Sequence, residues 1–284
     1  MRRTLRFPGN RFKAMTLSYD DGVETDIRLI DIMQKNGLKG TFNLNSGAFA
    51  PEGTVYPAGQ ASRRMPLSQI LQCYTGSGME VATHGYTHPF LDELSPETCT
   101  FEIVADRARL EELFGTIIRG HAYPYGKYSD TVVDILRKSG IVYARTTQST
   151  EKYELPKEPL CWHPTCHHKN PKLMELLDTF LALEKARTPQ VFYLWGHSYE
   201  FDGADNWNVI EEFAEKAGGH DDIWYATNIE IIDYVRAADA VITSADNRTL
   251  INPTNTDLCF RVEGSGVKKP GTYELKAGQT VHID

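Results

Sequence analysis

Short apolar runs alternate along the chain with stretches whose apolar positions recur at helical spacing. Residues 14–19 predict a first strand. Residues 26–36, apolar at Ile27, Ile30 and Leu29 or Met33, predict a helix stopped by Gly37. Residues 40–44 form a second strand, followed by a polar loop, rich in Gly and Pro, that runs to Met65. Pro66 then suits the first turn of a helix reaching Tyr74. Residues 79–82 are a third strand, and Ser95 is placed to cap a helix that extends to about Phe114. The alternation continues with strands at 117–123, 141–144, 160–163, 190–195 and 223–226. Helices at 129–139, from 170 to about 185, 206–217 and 228–238 lie between and after them.

Repeated strand–helix units predict an α/β fold, a distorted (β/α) barrel of seven or eight parallel strands. From about Ser244 the pattern changes to short strands between Gly-bearing turns, at 258–262, 271–275 and 280–283. The expected division is a barrel over residues 1–243 and a small β appendage over 244–284, packed against the barrel. In such barrels chemistry sits at the C-terminal strand ends. Asp20 and Asp21 close the first strand and His84 follows the third. Tyr125, Arg145, His163 and His197 follow the fourth to seventh.

Composition narrows the class. The 284 residues are 41% hydrophobic, which suits a globular chain with a sizeable core. The formal net charge is −8 and no basic block stands out, which argues against nucleic acid or an anionic membrane as partner. The five cysteines are scattered without a C-x-x-C pair and read as reduced thiols. The basic start lacks the apolar stretch of a secretory signal, and no run is long enough to span a membrane. A cytoplasmic protein is the expectation.

The candidate chemistry centres on Thr83-His84-Gly85-Tyr86-Thr87-His88, which sets two imidazoles four residues apart. Together with Asp20-Asp21 they make a donor set of two histidines and a carboxylate. That set is common around a catalytic divalent cation that keeps one position open for water.

Four ordered stretches resemble the motifs of the polysaccharide deacetylase (NodB-homology) family of metal-dependent carbohydrate esterases. They are Ser18-Tyr19-Asp20-Asp21-Gly22, His84-Gly85-Tyr86-Thr87-His88, Tyr123-Pro124-Tyr125-Gly126 and Leu194-Trp195-Gly196-His197. The resemblance covers roughly residues 10–240. It implies that Asp21, His84 and His88 hold a divalent metal, zinc first, with cobalt, nickel and iron compatible. It further implies Asp20 as general base, His197 as general acid and the Tyr125 backbone N–H as an oxyanion donor.

Two positions depart from the family pattern. Ala122 stands where the third motif carries an arginine, and Arg145 at the end of the fifth strand is the candidate replacement. The fourth-motif aspartate is not evident, and Glu200 or Asp202 is placed to orient His197 instead. The function implied is removal of N-acetyl groups from a sugar or oligosaccharide. Hydrolysis of another small amide or ureide, and non-catalytic carbohydrate binding, are the alternatives. The motifs do not encode the substrate's chain length or the oligomeric state.

Overall fold

The computed structural model describes residues 2–264 and 267–284. The chain opens with β1 (Arg2–Arg6) and β2 (Lys13–Asp20), then α1 (Asp26–Lys35), β3 (Gly40–Leu44), α2 (Leu67–Tyr74) and β4 (Glu80–Thr83). It continues through α3 (Pro96–Phe114), β5 (Gly120–Ala122), α4 (Asp130–Lys138), β6 (Tyr143–Arg145), β7 (Cys166–His167), α5 (Leu173–Leu181) and β8 (Gln190–Gly196). After α6 (Tyr199–Gly203), α7 (Asn208–Ala217), β9 (Ile223–Tyr225) and α8 (Asn228–Asp239) come five short strands. These are β10 (Ile242–Thr243), β11 (Thr249–Ile251), β12 (Leu258–Glu263), β13 (Gly271–Leu275) and β14 (Thr280–His282).

The central sheet is parallel and runs β6-β5-β4-β3-β2-β8-β7. Strand β9 pairs with the first residues of β2 and β3 with the last ones, so both flank the same strand in succession. The sheet curls, and residues 162–167 span its two ends. Trp162 bridges Arg145 of β6, while Cys166–His167 pairs with β8. This is the distorted (β/α) barrel expected from the strand–helix alternation.

Pairing across that seam differs from the sequence expectation of a strand at 160–163. Pro159–Cys161 is instead a 3-10 turn, with the Glu158 carboxylate accepting from the Leu160 N–H. Pro159 and Pro164 each lack a donor, so continuous pairing cannot form across them and resumes at Thr165, whose N–H donates to Tyr193 O at 2.9 Å. Helix α5 is also shorter than expected, covering Leu173–Leu181. The cap expected at Ser95 is present, with its hydroxyl accepting from the Thr98 N–H, and Ser129 likewise accepts from that of Val132.

Strand β2 explains how the barrel builds a polar interior. All eight residues are buried, and they alternate. Met15, Leu17 and Tyr19 belong to the apolar core with α1, α5 and α7. Thr16, Ser18 and Asp20 enter a hydrogen-bonded column. Thr16 Oγ1 donates to Asn228 Oδ1 at 2.8 Å, and Asn228 Nδ2 to the Tyr193 hydroxyl at 2.7 Å. Asn43 Nδ2 reaches both Ser18 Oγ and Asp20 Oδ1 at 2.8 Å. The column ends at Asp20.

The appendage takes in both ends of the chain. Arg2–Arg6 pairs antiparallel with β12, and β10 pairs with β11. Leu258, Phe260, Val262, Leu275 and Ile283 share one apolar cluster with Phe7, Ala14 and α8. The Tyr234 hydroxyl of α8 donates to Arg6 O and accepts from the Cys259 N–H. The appendage therefore covers the end of β2 opposite Asp20. All five cysteines are unpaired thiols. Among the described residues no helix is long and apolar enough to cross a membrane.

Candidate active site

Asp20 and Asp21 leave the end of β2 in different directions because the backbone turns between them. Asp20 is extended strand, whereas Asp21 has φ 87° and Gly22 φ 64°. His88 (φ 64°) and Tyr125 (φ 57°) also occupy the left-handed region, which is costly for residues with a Cβ. Three such residues meet at one strand-end surface, and the surrounding contacts hold them there.

Asp21, His84 and His88 present ligand atoms that all lie within 4.8 Å of one another. The two Nε2 atoms are 3.1 Å apart, and His88 Nε2 is 3.7 Å from Asp21 Oδ1. His84 Nδ1 lies 2.7 Å from Ala122 O. A carbonyl only accepts, so the ring proton is on Nδ1 and the Nε2 lone pair faces His88. Burial holds both imidazoles below the usual histidine pKa, His84 far below it, and the nearby His88 adds to the effect on His84. Neutral rings with converging lone pairs beside a carboxylate fit a divalent cation.

Asp20 is 2% exposed. Arg145 Nη2 meets its Oδ2 at 2.5 Å and Asn43 its Oδ1, so both oxygens are held. The same Oδ2 is 3.8 Å from His84 Nε2 and 3.8 Å from His197 Nε2. Arg145 is fully buried, its guanidinium 4.5 Å from the centre of the Trp195 ring.

On its other side, His197 faces Glu200, with Nδ1 3.6 Å from Oε2. That oxygen is also 3.2 Å from His167 Nε2 and 3.0 Å from His168 Nε2, while Lys169 Nζ takes Oε1 at 2.7 Å. Although adjacent in sequence, the two histidines converge because the chain leaves β7 between them. His167, His197 and Glu200 lie close enough together for a second cation. However, the Lys169 N–H donates to His167 Nδ1, which puts that ring's proton on Nε2, facing Glu200. The cluster gathers three imidazoles and an ammonium around one carboxylate. Burial opposes the charge on Glu200, yet His167, His168, His197 and Lys169 together hold it far below the usual carboxylate range. Burial also opposes charge on His197, but Glu200, Asp20 and Asp21 outweigh it and raise its pKa.

The backbone of Tyr125 sits on a turn whose own hydrogen bonds run from the Gly126 and Lys127 N–H groups. Its half-exposed ring stacks on Phe90 with centroids 3.9 Å apart and meets His88 edge-on at 4.6 Å. His163 stands apart, its Nδ1 on the Thr146 hydroxyl at 2.6 Å. Of the two candidates for orienting His197, Asp202 is engaged elsewhere, with Arg63 and Trp207.

Several supporting residues carry no sequence signal. Arg64 closes the long loop and donates to Asp21 O, Asp21 Oδ1 and Asn45 Oδ1. Asn45 in turn donates to His84 O and Gly85 O. Asp106 of α3 accepts from the N–H groups of His84 and Ser46, and burial pushes its pKa up to about 7. Each acts across a long sequence separation, so only spacing within a recognised motif could have pointed to them.

Residues 9–144 match the family model described as polysaccharide deacetylase. Over that stretch, just under half of its length, the chain is similar to the polysaccharide deacetylase family. A chitin deacetylase from Arthroderma benhamiae is 29% identical over 124 residues, covering 42% of this chain. The chain spans only 29% of that enzyme's length. A solved structure classed as a polysaccharide deacetylase from Mycobacterium smegmatis superposes with a TM-score of 0.56 at 18% identity. It covers 83% of this chain and 94% of that one, a likeness in fold. The matched stretch ends one residue before Arg145. Arg145, His197 and Glu200 thus come from the half of the barrel that the family model does not reach.

Proposed function

We propose that the chain is a metal-dependent hydrolase that removes N-acetyl groups from an N-acetylated sugar or oligosaccharide. The observation that carries this reading is the place of Asp20, 3.8 Å from a candidate metal ligand on one side and 3.8 Å from His197 on the other. Asp21, His84 and His88 would hold the cation, with zinc, cobalt, nickel and iron all suited to these donors. Bound there, it would polarise the acetyl carbonyl and make a water more acidic.

The protein groups divide the proton transfers. Asp20 takes the proton of the attacking water, with Arg145 and Asn43 keeping its carboxylate from rotating. The Tyr125 N–H donates to the carbonyl oxygen as it gains negative charge. His197 gives its Nε2 proton to the nitrogen as the C–N bond breaks, leaving acetate and a free amine. Glu200 faces the opposite side of that ring and favours its charged form. The exposed Phe90–Tyr125 stack beside His88 offers a flat aromatic surface to a sugar ring. That platform favours a carbohydrate over a small ureide.

The test is acetate release from N-acetylated saccharides, monomer to pentamer, by chelator-treated protein and by protein reloaded with zinc or cobalt. Release should depend on metal and fall by about 10²–10⁴ in Asp20→Asn with metal retained. No release from any saccharide, with one metal bound, would move the assignment to small amides and ureides. Metal binding without turnover on either panel would leave carbohydrate binding alone.

A further inference from the structure

At the end of the barrel away from Asp20, the first strand of the appendage sheet builds a cationic cavity. Arg2, Thr4 and Arg6 alternate on β1 and so share one face. Arg261 lies beside Thr4 on β12, and Glu263 beside Arg2. The loop before β8 adds Lys185 and Arg187, and Arg2 Nη2 donates to Arg187 O at 3.0 Å. These residues line a cavity of about 690 Å³. Its lining holds five cations against two carboxylates, Glu184 and Glu263, in a chain whose formal net charge is −8.

Arg6 decides what the cavity is for. It is only 9% exposed, and its Nη1 is buried without a hydrogen-bond partner. Among the described residues its guanidinium makes no ion pair, and its Cζ lies 5.7 Å from the centre of the Phe12 ring. Its nearest charged neighbours include two more arginines: burial lowers its pKa most, and Arg261 and Arg2 lower it further. Glu263 offsets this only in part, since its carboxylate is paired with Arg261 and the net shift remains downward. A buried guanidinium left unpaired is costly, and an arriving anion would relieve that cost. A planar fork of N–H donors with further arginines around it suits a tetrahedral oxyanion held by two parallel hydrogen bonds.

We propose that this cavity is an anion site that takes a phosphate or sulfate group, with Arg6 as its buried donor and Arg2, Arg187 and Arg261 closing around it. It stands apart from the deacetylase reading, since β2 separates it from Asp20.

The test compares thermal midpoints in inorganic phosphate, sulfate and chloride at one ionic strength, for the wild type, Arg6→Gln and Arg187→Ala. Phosphate and sulfate should raise the wild-type midpoint saturably above that in chloride. Arg6→Gln should lose that rise, and in chloride it should melt above the wild type because the unpaired charge is gone. Arg187→Ala, on an exposed loop, should weaken the response without removing it, and keeps the test usable if Arg6→Gln folds poorly. Acetate release should be unchanged in both variants. A sugar phosphate that binds more tightly than inorganic phosphate would place the group on a glycan; equal binding would point to the free anion. Phosphate held at Asp21, His84 and His88 would act equally on the wild type and Arg6→Gln. An equal response in those two proteins, or one matched by chloride, would overturn the proposal.

Discussion

Ala122 on β5 and Arg145 on β6 are direct register partners, and the arginine of the pair meets Asp20. The cationic partner of the base is thus supplied from one strand further round the barrel. Arg145→Ala leaves Asp20 buried without its cation, which should cost about 3–5 kcal/mol of stability and most of the turnover. Because the two positions are neighbours, adding Ala122→Arg to that variant should return part of both. Thermal melts and acetate release on the single and double variants check this. Full activity in Arg145→Ala would remove the arginine from the mechanism.

Glu200 faces His197 and holds Lys169, whereas Asp202 holds Arg63. Glu200→Gln should therefore lower kcat by about tenfold or more with KM little changed, the signature of an interaction made in the transition state. Asp202→Asn should leave kcat at the wild-type value. Equal kcat losses in the two variants would mean that Glu200 serves only to hold the loop.

Asp26, the first residue of α1, is fully buried and accepts from the Val23 N–H, the Tyr74 hydroxyl and Ser198 Oγ. Burial pushes its pKa from 3.8 up to about 7, against those hydrogen bonds. A carboxyl raised in the folded state favours folding in its protonated form. Its contribution is full below the unfolded pKa of 3.8 and is lost as pH climbs to about 7. That loss amounts to about 4 kcal/mol at most. Asp26→Asn keeps an acceptor but cannot ionise, so its stability should fall less than that of the wild type between pH 5 and pH 7.5. Urea unfolding of the metal-free proteins at both pH values measures the difference. Parallel losses would exclude Asp26 as the source.

Gly196 ends β8 against the His168 ring, where a Cβ would lie 2.1 Å from Nδ1. His168 cannot easily retreat, because it stacks on Tyr19 and lies 4.1 Å from the Phe201 ring centre. Gly196→Ala should lose about 1–3 kcal/mol through overpacking and lower kcat by displacing Glu200 from His197. Adding His168→Ala should recover part of the stability. A melting temperature equal to the wild type's would show that the ring has room to move.

Local chemistry in the sequence determined the strand–helix alternation, the cap at Ser95, and the four motif stretches. Period-2 and period-3.6 burial and capping hydrogen bonds act within a few residues, so they can be read along the chain. The Asp20-Asp21 pair could be grouped with His84 and His88 by residue type and strand-end position, while the choice of Asp21 as the ligand came from the family resemblance. Tertiary structure alone decided the rest. The seam at 160–167 depended on which residues between two prolines could still donate a hydrogen bond. Glu200 prevailed over Asp202 through the company of His167, His168 and Lys169, which come from a different strand. Arg64 reaches Asp21 across 43 residues, and Arg2 and Arg6 line one cavity with Arg187 and Arg261 although they are far apart along the chain. Charge pairing and desolvation depend on distance in space, and distance along the chain carries no record of it.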